Sequence, residues 1–284
     1  MKAVAKNFLK AICYVLLFYG MQILVSFAVL YIYGFIAGFE AGMSGETLDT
    51  QALNVEMQMF LLKNQNIFLL ISNGITLLFL WIFFKCRKKK ITQEIQICKF
   101  DKRMIVPIIV MGCSLSLFIS SVLCQLPLPQ NLTSSYAEAS QGLINGSLII
   151  RILTLVVMTP IVEEIVFRGL VFSRLKRGMK TPLAVLLSSL IFALMHGQLI
   201  WISYTFVVGI LFAVIVEKTK SLNASILCHM ALNSVSALVG GINITGTKAY
   251  IMILVTFVLV MASLMFVLRS NNFTGKNNIK CEMV

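Results

Sequence analysis

Eight stretches of this chain are apolar over close to the length a helix needs to cross a bilayer, about 20 residues. They fall near 11–38, 66–84, 104–124, 148–172, 182–197, 198–216, 222–240 and 249–268. In hydrocarbon, backbone N–H and C=O groups must find partners within the protein, so runs of this kind fold as helices rather than open strands or loops. Of 284 residues, 58% are hydrophobic and 12% charged, whereas a soluble domain carries about 25% charged residues. The same balance excludes a disordered chain. The sequence therefore predicts an all-α, polytopic membrane protein with about eight transmembrane helices.

The first stretch follows Lys2, Lys6 and Lys10. It is too long for a signal peptide and lacks a small-residue cleavage site, so it reads as a retained helix. Only Gly197 and Gln198 separate the two stretches around 182–216, whose boundaries are the loosest of the set.

Charge alternates between the connections. Basic residues crowd the N-terminal arm, segment 85–103 (Lys85, Arg87, Lys88, Lys89, Lys90, Lys99, Lys102 and Arg103), Arg174 to Lys180, Lys218 with Lys220, and the tail; the opposite connections hold only Lys63 and Lys248. By the positive-inside rule both termini are expected in the cytoplasm. A net charge of +13 would by itself suit a nucleic-acid binder. Its one-sided placement marks anchors beside anionic lipid instead, so the expected partner is the bilayer and not nucleic acid.

On the other side, 39–65 with Glu40, Glu46, Asp49 and Glu56 reads as an external loop containing a short amphipathic helix. Segment 125–147 with Pro127, Pro129, Asn131 and Gly142 reads as a second external loop. The seven cysteines (13, 86, 98, 113, 124, 228 and 281) form no CxxC pair, which suggests free thiols rather than disulfides or a thiolate zinc site. The polar tail from Asn271 ends Cys-Glu-Met-Val, but Glu282 is not aliphatic and a prenylation box is discounted. Four parts result: 1–103 (N-terminal helices, external loop, basic loop), 104–147 (third helix and external loop), 148–240 (the core bearing the polar residues below) and 241–284 (last helix and tail).

An ionisable side chain within a transmembrane helix costs about 2.5–3.5 kcal/mol on insertion scales and marks function by default. Only Glu163 and Glu164, of eleven acidic residues, lie deep in an apolar stretch, and both histidines of the chain, His196 and His229, fall in spans. Adjacent helical side chains point about 100° apart, so the two carboxylates cannot share one role. Glu164 and Arg168 stand at i, i+4 and can pair; Glu163 has no such partner. His229 and Asn233 share one helical face by the same spacing. A lone intramembrane histidine is as often a structural hydrogen-bonder as a catalyst, but that reading strains when every histidine and deep carboxylate falls in one short region. Convergence of Glu163, His196 and His229 is expected if the fourth, fifth and seventh helices pack together. Pro160 lies one turn before Glu163 and either kinks this helix or is simply tolerated.

Three motifs in order, Glu163-Glu164-Ile-Val-Phe-Arg168, Phe192 to His196 and His229 to Asn233, resemble the EExxxR, FxxxH and HxxxN motifs of the CAAX protease and bacteriocin-processing (CPBP, or Abi) family of intramembrane endopeptidases. The resemblance covers about 148–240 and adds nothing for the first 100 residues. It implies that Glu163 and His196 activate water, with Glu163 also able to protonate the leaving amine. His229 and Asn233 would form an oxyanion hole, with Glu164, Arg168 and Phe192 in support. Arg168 would hold Glu164 or, alternatively, touch a substrate carboxylate. Glu163, His196 and His229 are also acceptable zinc ligands. With no HExxH helix in the sequence, a glutamate-dependent mechanism without metal or other cofactor is favoured.

The partner so implied is a peptide or protein substrate at a bacterial cell membrane. Peptide maturation, bacteriocin self-immunity and envelope signalling are the candidate roles. A catalytically idle scaffold and a proton-coupled transporter are the rival readings, the latter weakened by the absence of paired repeats.

Overall fold

The computed structural model describes residues 2–45, 47, 49–88, 94–95, 100–239 and 246–270, and every regular element among them is helical. Each of the eight apolar stretches is a helix. In chain order the elements are α1 (Lys2–Ser44), α2 (Thr50–Lys63), α3 (Gln65–Cys86), α4 (Ile105–Gln125), α5 (Gln130–Ile144), α6 (148–176), α7 (Thr181–Leu194), α8 (Leu199–Thr219), α9 (Leu222–Val239) and α10 (Thr247–Arg269). Five segments are long and apolar enough to cross a membrane: Val4–Ser44, Gln65–Cys86, Lys102–Gln125, Leu199–Thr219 and Thr247–Arg269. Lys89, Lys90, Lys99, Cys98, Glu46 and the tail from Asn271, Cys281 included, lie outside the described residues. Among the described residues the cysteines at 13, 86, 113 and 228 are free thiols.

The short amphipathic helix expected in 39–65 is α2, started by Asp49, whose carboxylate accepts from the N–H groups of Gln51 and Ala52. The loop expected over 125–147 is a correction: most of it is α5. Pro127 and Pro129 suggest a loop, but Pro129 occupies the N-cap of α5 and breaks nothing downstream. The far end of α5 is fixed by side chains that take its last carbonyls. Asn66 Nδ2 donates to Leu143 O (2.9 Å) and Asn145 O (3.1 Å), and Arg151 Nη1 donates to Ile144 O (2.8 Å).

The second half of α6 runs through the centre of the bundle. Val166, Phe167, Leu170, Val171, Phe172 and Leu175 are buried against Phe18 of α1, Phe84 of α3 and Phe192 of α7. A second core joins Ile108 and Met111 of α4 to Phe212 and Ile215 of α8, Cys228 of α9 and Val267 of α10. Where α4 crosses α9, a Cβ on Gly112 would sit 2.3 Å from the Cys228 carbonyl oxygen, so only glycine permits that approach. Outward faces are apolar too: Phe27, Tyr31 and Phe35 on α1, and Ile251, Leu254 and Val258 on α10, are exposed. That pattern suits lipid contact.

Candidate active site

The polar residues singled out in the sequence meet where α6, α7 and α9 pack. Glu163, His196, His229 and Asn233 all line one cavity of about 420 Å³, so the expected convergence is observed. Tyr136 of α5 and Trp201 and Tyr204 of α8 line the same cavity.

Glu164 and Arg168 form the buried floor. Arg168 Nη1 meets Glu164 Oε1 at 2.8 Å, and the two side chains are 2% and 0% exposed. Arg168 Nη2 donates to Gly209 O at 3.3 Å. The guanidinium also lies over the rings of Phe192 and Phe212, 4.1 and 5.2 Å from their centroids, where an aromatic face attracts a cation. Gly209 can lend its carbonyl because it lies at the α7–α8 crossing, where a Cβ would stand 3.2 Å from Ser189 Cα. So enclosed, Arg168 does not line the cavity, and the alternative role of touching a substrate carboxylate is set aside. What it holds in the structure is Glu164.

Glu164 in turn fixes His229. Its Oε1 faces His229 Nδ1 at 3.1 Å, and its Oε2 accepts from Ser225 Oγ. An ionised carboxylate only accepts, so Nδ1 is the donor in this pair. That leaves Nε2 facing Glu163, whose Oε2 is 3.8 Å away. The adjacent glutamates thus flank one imidazole from its two nitrogens, consistent with their different directions on the helix.

His196 is held otherwise. The fifth stretch was expected to run to 197, but α7 ends at Leu194 and His196 sits in the following turn. The chain reverses through Gly197 at φ +73°, a backbone state that glycine adopts without strain. The 14 residues of α7 cover about 21 Å, against the 21 residues of α8, so the turn stops within the depth its neighbour spans. His196 Nδ1 lies 3.0 Å from Phe192 O. A carbonyl only accepts, so Nδ1 carries the proton and Nε2 keeps its lone pair in the neutral ring. Phe192 therefore does two things: its ring covers Arg168, and its carbonyl sets the tautomer of His196.

Asn233 depends on an irregularity in α6. Residues Ile152–Met158 form a wide π-helical turn in which Thr159 N–H reaches back five residues to Thr154 O. Leu155 O loses that donor, and the next candidate along the helix is Pro160, which has no N–H. Asn233 Nδ2 fills the vacancy, donating to Leu155 O at 2.8 Å. Pro160 thereby acts on the site through the carbonyl it leaves free. π-Bulges are frequent at functional sites for this kind of reason.

Sequence reasoning missed Ser225, Phe212, Gly209 and the Leu155 carbonyl. Ser225 alone left a signal, lying four residues before His229 on the same face; the others depend on packing between helices. As for metal, no group of three or more His, Cys, Asp or Glu stands close enough to hold an ion among the described residues. The arrangement presents the Glu163 carboxylate, the imidazoles of His196 and His229 and the Asn233 amide to one cavity.

Residues 145–235 match the family model described as type II CAAX prenyl endopeptidase Rce1-like, a range that includes every motif residue above. The chain is similar to the "Membrane-embedded CAAX protease MroQ" of Staphylococcus aureus (strain USA300), 30% identical over 145 residues, 48% of this chain and 58% of that protein. It is also similar to the "Putative membrane peptidase YdiL" of Bacillus subtilis (strain 168), 32% identical over 78 residues, 28% of this chain and 32% of that protein. The matches thus cover less than two thirds of either relative's length. No solved structure matches the chain at comparable significance. The resemblance drawn from three short motifs is borne out over 145–235.

Proposed function

We propose that this chain is a membrane-embedded endopeptidase of the Rce1-like, CAAX-protease type, multi-pass in a bacterial cell membrane with both termini cytoplasmic. The observation that carries the reading is the meeting of Glu163, His196, His229 and Asn233 on one cavity wall. Similarity to a membrane-embedded CAAX protease supports it.

Water in the cavity gives a proton to Glu163 and a second hydrogen bond to His196 Nε2, and its oxygen attacks the substrate's peptide carbonyl carbon. The oxygen of that carbonyl becomes an oxyanion, received by His229 and by the second N–H of Asn233, whose first is spent on Leu155 O. With Nδ1 engaged by Glu164, it is the Nε2 side of His229 that is turned toward Glu163 and the oxyanion. Glu163 then passes its proton to the departing nitrogen as the C–N bond breaks. No step needs a metal ion, and Glu163, His196 and His229 do not form a close ligand group. Cleavage by the purified protein is therefore expected to persist after dialysis against 1,10-phenanthroline, with metal content followed by mass spectrometry. Loss of activity that zinc restores would overturn the metal-free mechanism.

Pro160→Ala tests the π-helical turn. Alanine supplies an N–H that competes for the Leu155 and Val156 carbonyls, so Asn233 loses its fixed partner. Cleavage is expected to fall about tenfold, the worth of one well-placed hydrogen bond, while the melting temperature holds or rises. Native activity in this variant would show that the freed carbonyl does not position Asn233.

The substrate is a peptide or protein at the membrane, and peptide maturation, bacteriocin self-immunity or envelope signalling is the proposed role. Mass spectrometry of membrane and secreted peptides, comparing cells that carry the native chain with cells that carry Glu163→Gln at matched expression, tests this reading. A precursor that changes length only with the native chain is expected. Identical profiles with the biological phenotype intact in Glu163→Gln would overturn proteolysis and favour a scaffold.

A further inference from the structure

One hydroxyl on the cavity wall has no role in the steps above. Thr159 lies midway between Leu155 and Glu163 on α6, four residues from each, and so about 6 Å along the axis from both. On the facing helix, His229 approaches Glu163 and Asn233 bonds Leu155 O. That antiparallel register sets Thr159 opposite the interval between His229 and Asn233, where the oxyanion would form.

The Thr159 hydroxyl is also oriented. A threonine inside a helix usually turns its O–H back to the carbonyl four residues before it. Here that carbonyl belongs to Leu155 and is occupied by Asn233. Thr159 Oγ1 instead accepts from Asn73 Nδ2 of α3 at 3.1 Å. Among the described residues it donates to none, so its proton is left for the cavity that it and Asn73 both line. Asn73 is itself 1% exposed, and its Oδ1 has no partner. A buried asparagine with half its amide unsatisfied is costly, and here the other half fixes a hydroxyl on the cavity wall.

We propose that Thr159 is a catalytic residue, a third donor to the oxyanion beside His229 and Asn233, and that Asn73 is the positioning residue that points its proton into the cavity. This rests on the proteolytic reading above. Asn73 lies outside the 145–235 family match and belongs to the N-terminal helices, to which the motifs assign nothing.

The test uses the purified full chain in lipid nanodiscs and a pool of internally quenched decapeptides bearing a dinitrophenyl group; the fastest-cut member is then resynthesised. Thr159→Val keeps the shape and removes the donor. Its kcat is expected to fall about 100-fold, the typical cost of one oxyanion donor, with KM little changed. Thr159→Ser should retain most of the rate, and Asn73→Leu should lower kcat while leaving KM in place. Peptide affinity is read separately in the Glu163→Gln background with Trp81→Phe, as quenching of Trp201 by the dinitrophenyl group, and Thr159→Val should leave it unchanged. Native kcat in Thr159→Val, equal losses in the Val and Ser variants, or weakened quenching would each overturn the assignment while proteolysis stands. Failure of the native chain to cut any member of the pool would overturn the proteolytic reading and this inference with it.

Discussion

Glu163→Gln is expected to lower peptide cleavage by about 100- to 10,000-fold, the range typical of a lost general base, with the fold intact. Glutamine reproduces the shape of the side chain but cannot accept a proton from water or return one to the amine. The substitution should leave packing alone. The Glu163 side chain is 15% exposed on the cavity wall, and its contact with His229 Nε2, at 3.8 Å, is too long for a hydrogen bond. Initial rates in nanodiscs check the first half of the expectation, and an unchanged melting temperature checks the second. Near-native turnover would remove Glu163 from the chemistry and point to His196 as the base.

Arg168→Met has the opposite profile. Methionine fills much of the arginine's volume between Phe192 and Phe212 but leaves Glu164 ionised, fully buried and without its counter-charge. Breaking one side of such a pair costs about 3–5 kcal/mol, so a large drop in melting temperature is expected before any question of activity arises. The remaining bonds from Ser225 and His229 do not replace a full positive charge. Adding Glu164→Leu should recover much of the loss, since exchanging both members of a buried pair for apolar residues is often neutral or better. A single variant as stable as the native protein would show that Glu164 is held by other means.

Much of the helix inventory could be read from hydrophobic run length, because hydrocarbon leaves a backbone few other choices. Run length failed where polar residues extend a helix: α1 continues to Ser44, past Glu40, and α5 lies in what reads as a proline-bearing loop. At the site, the legible part was local. Glu164 and Arg168 pair at i, i+4 as the spacing says, and His229 and Asn233 share a face. The illegible part depends on events at the crossings between helices. No spacing rule announces that Phe212 lies under Arg168, and the spacing that puts Ser225 on the His229 face does not say that its hydroxyl closes on Glu164. The position of Asn233 needed two facts at once, a missing N–H at Pro160 and a wide turn before it, and only the first is written in the letters.

The ion pair within α6 also bears on how such a chain is made. A helix that carries Glu163, Glu164 and Arg168 meets lipid during synthesis before α8 and α9 exist. Because Glu164 and Arg168 lie one turn apart on one helix, this segment brings its own neutralising partner into the bilayer and lowers the cost of entry from its first moment. Later segments then add the Gly209 carbonyl, Ser225 and His229 in order of translation. Glu163 meets His229, 3.8 Å away, only when α9 docks. The same docking delivers His229 and Asn233, so the cavity acquires both of these side chains in one late step.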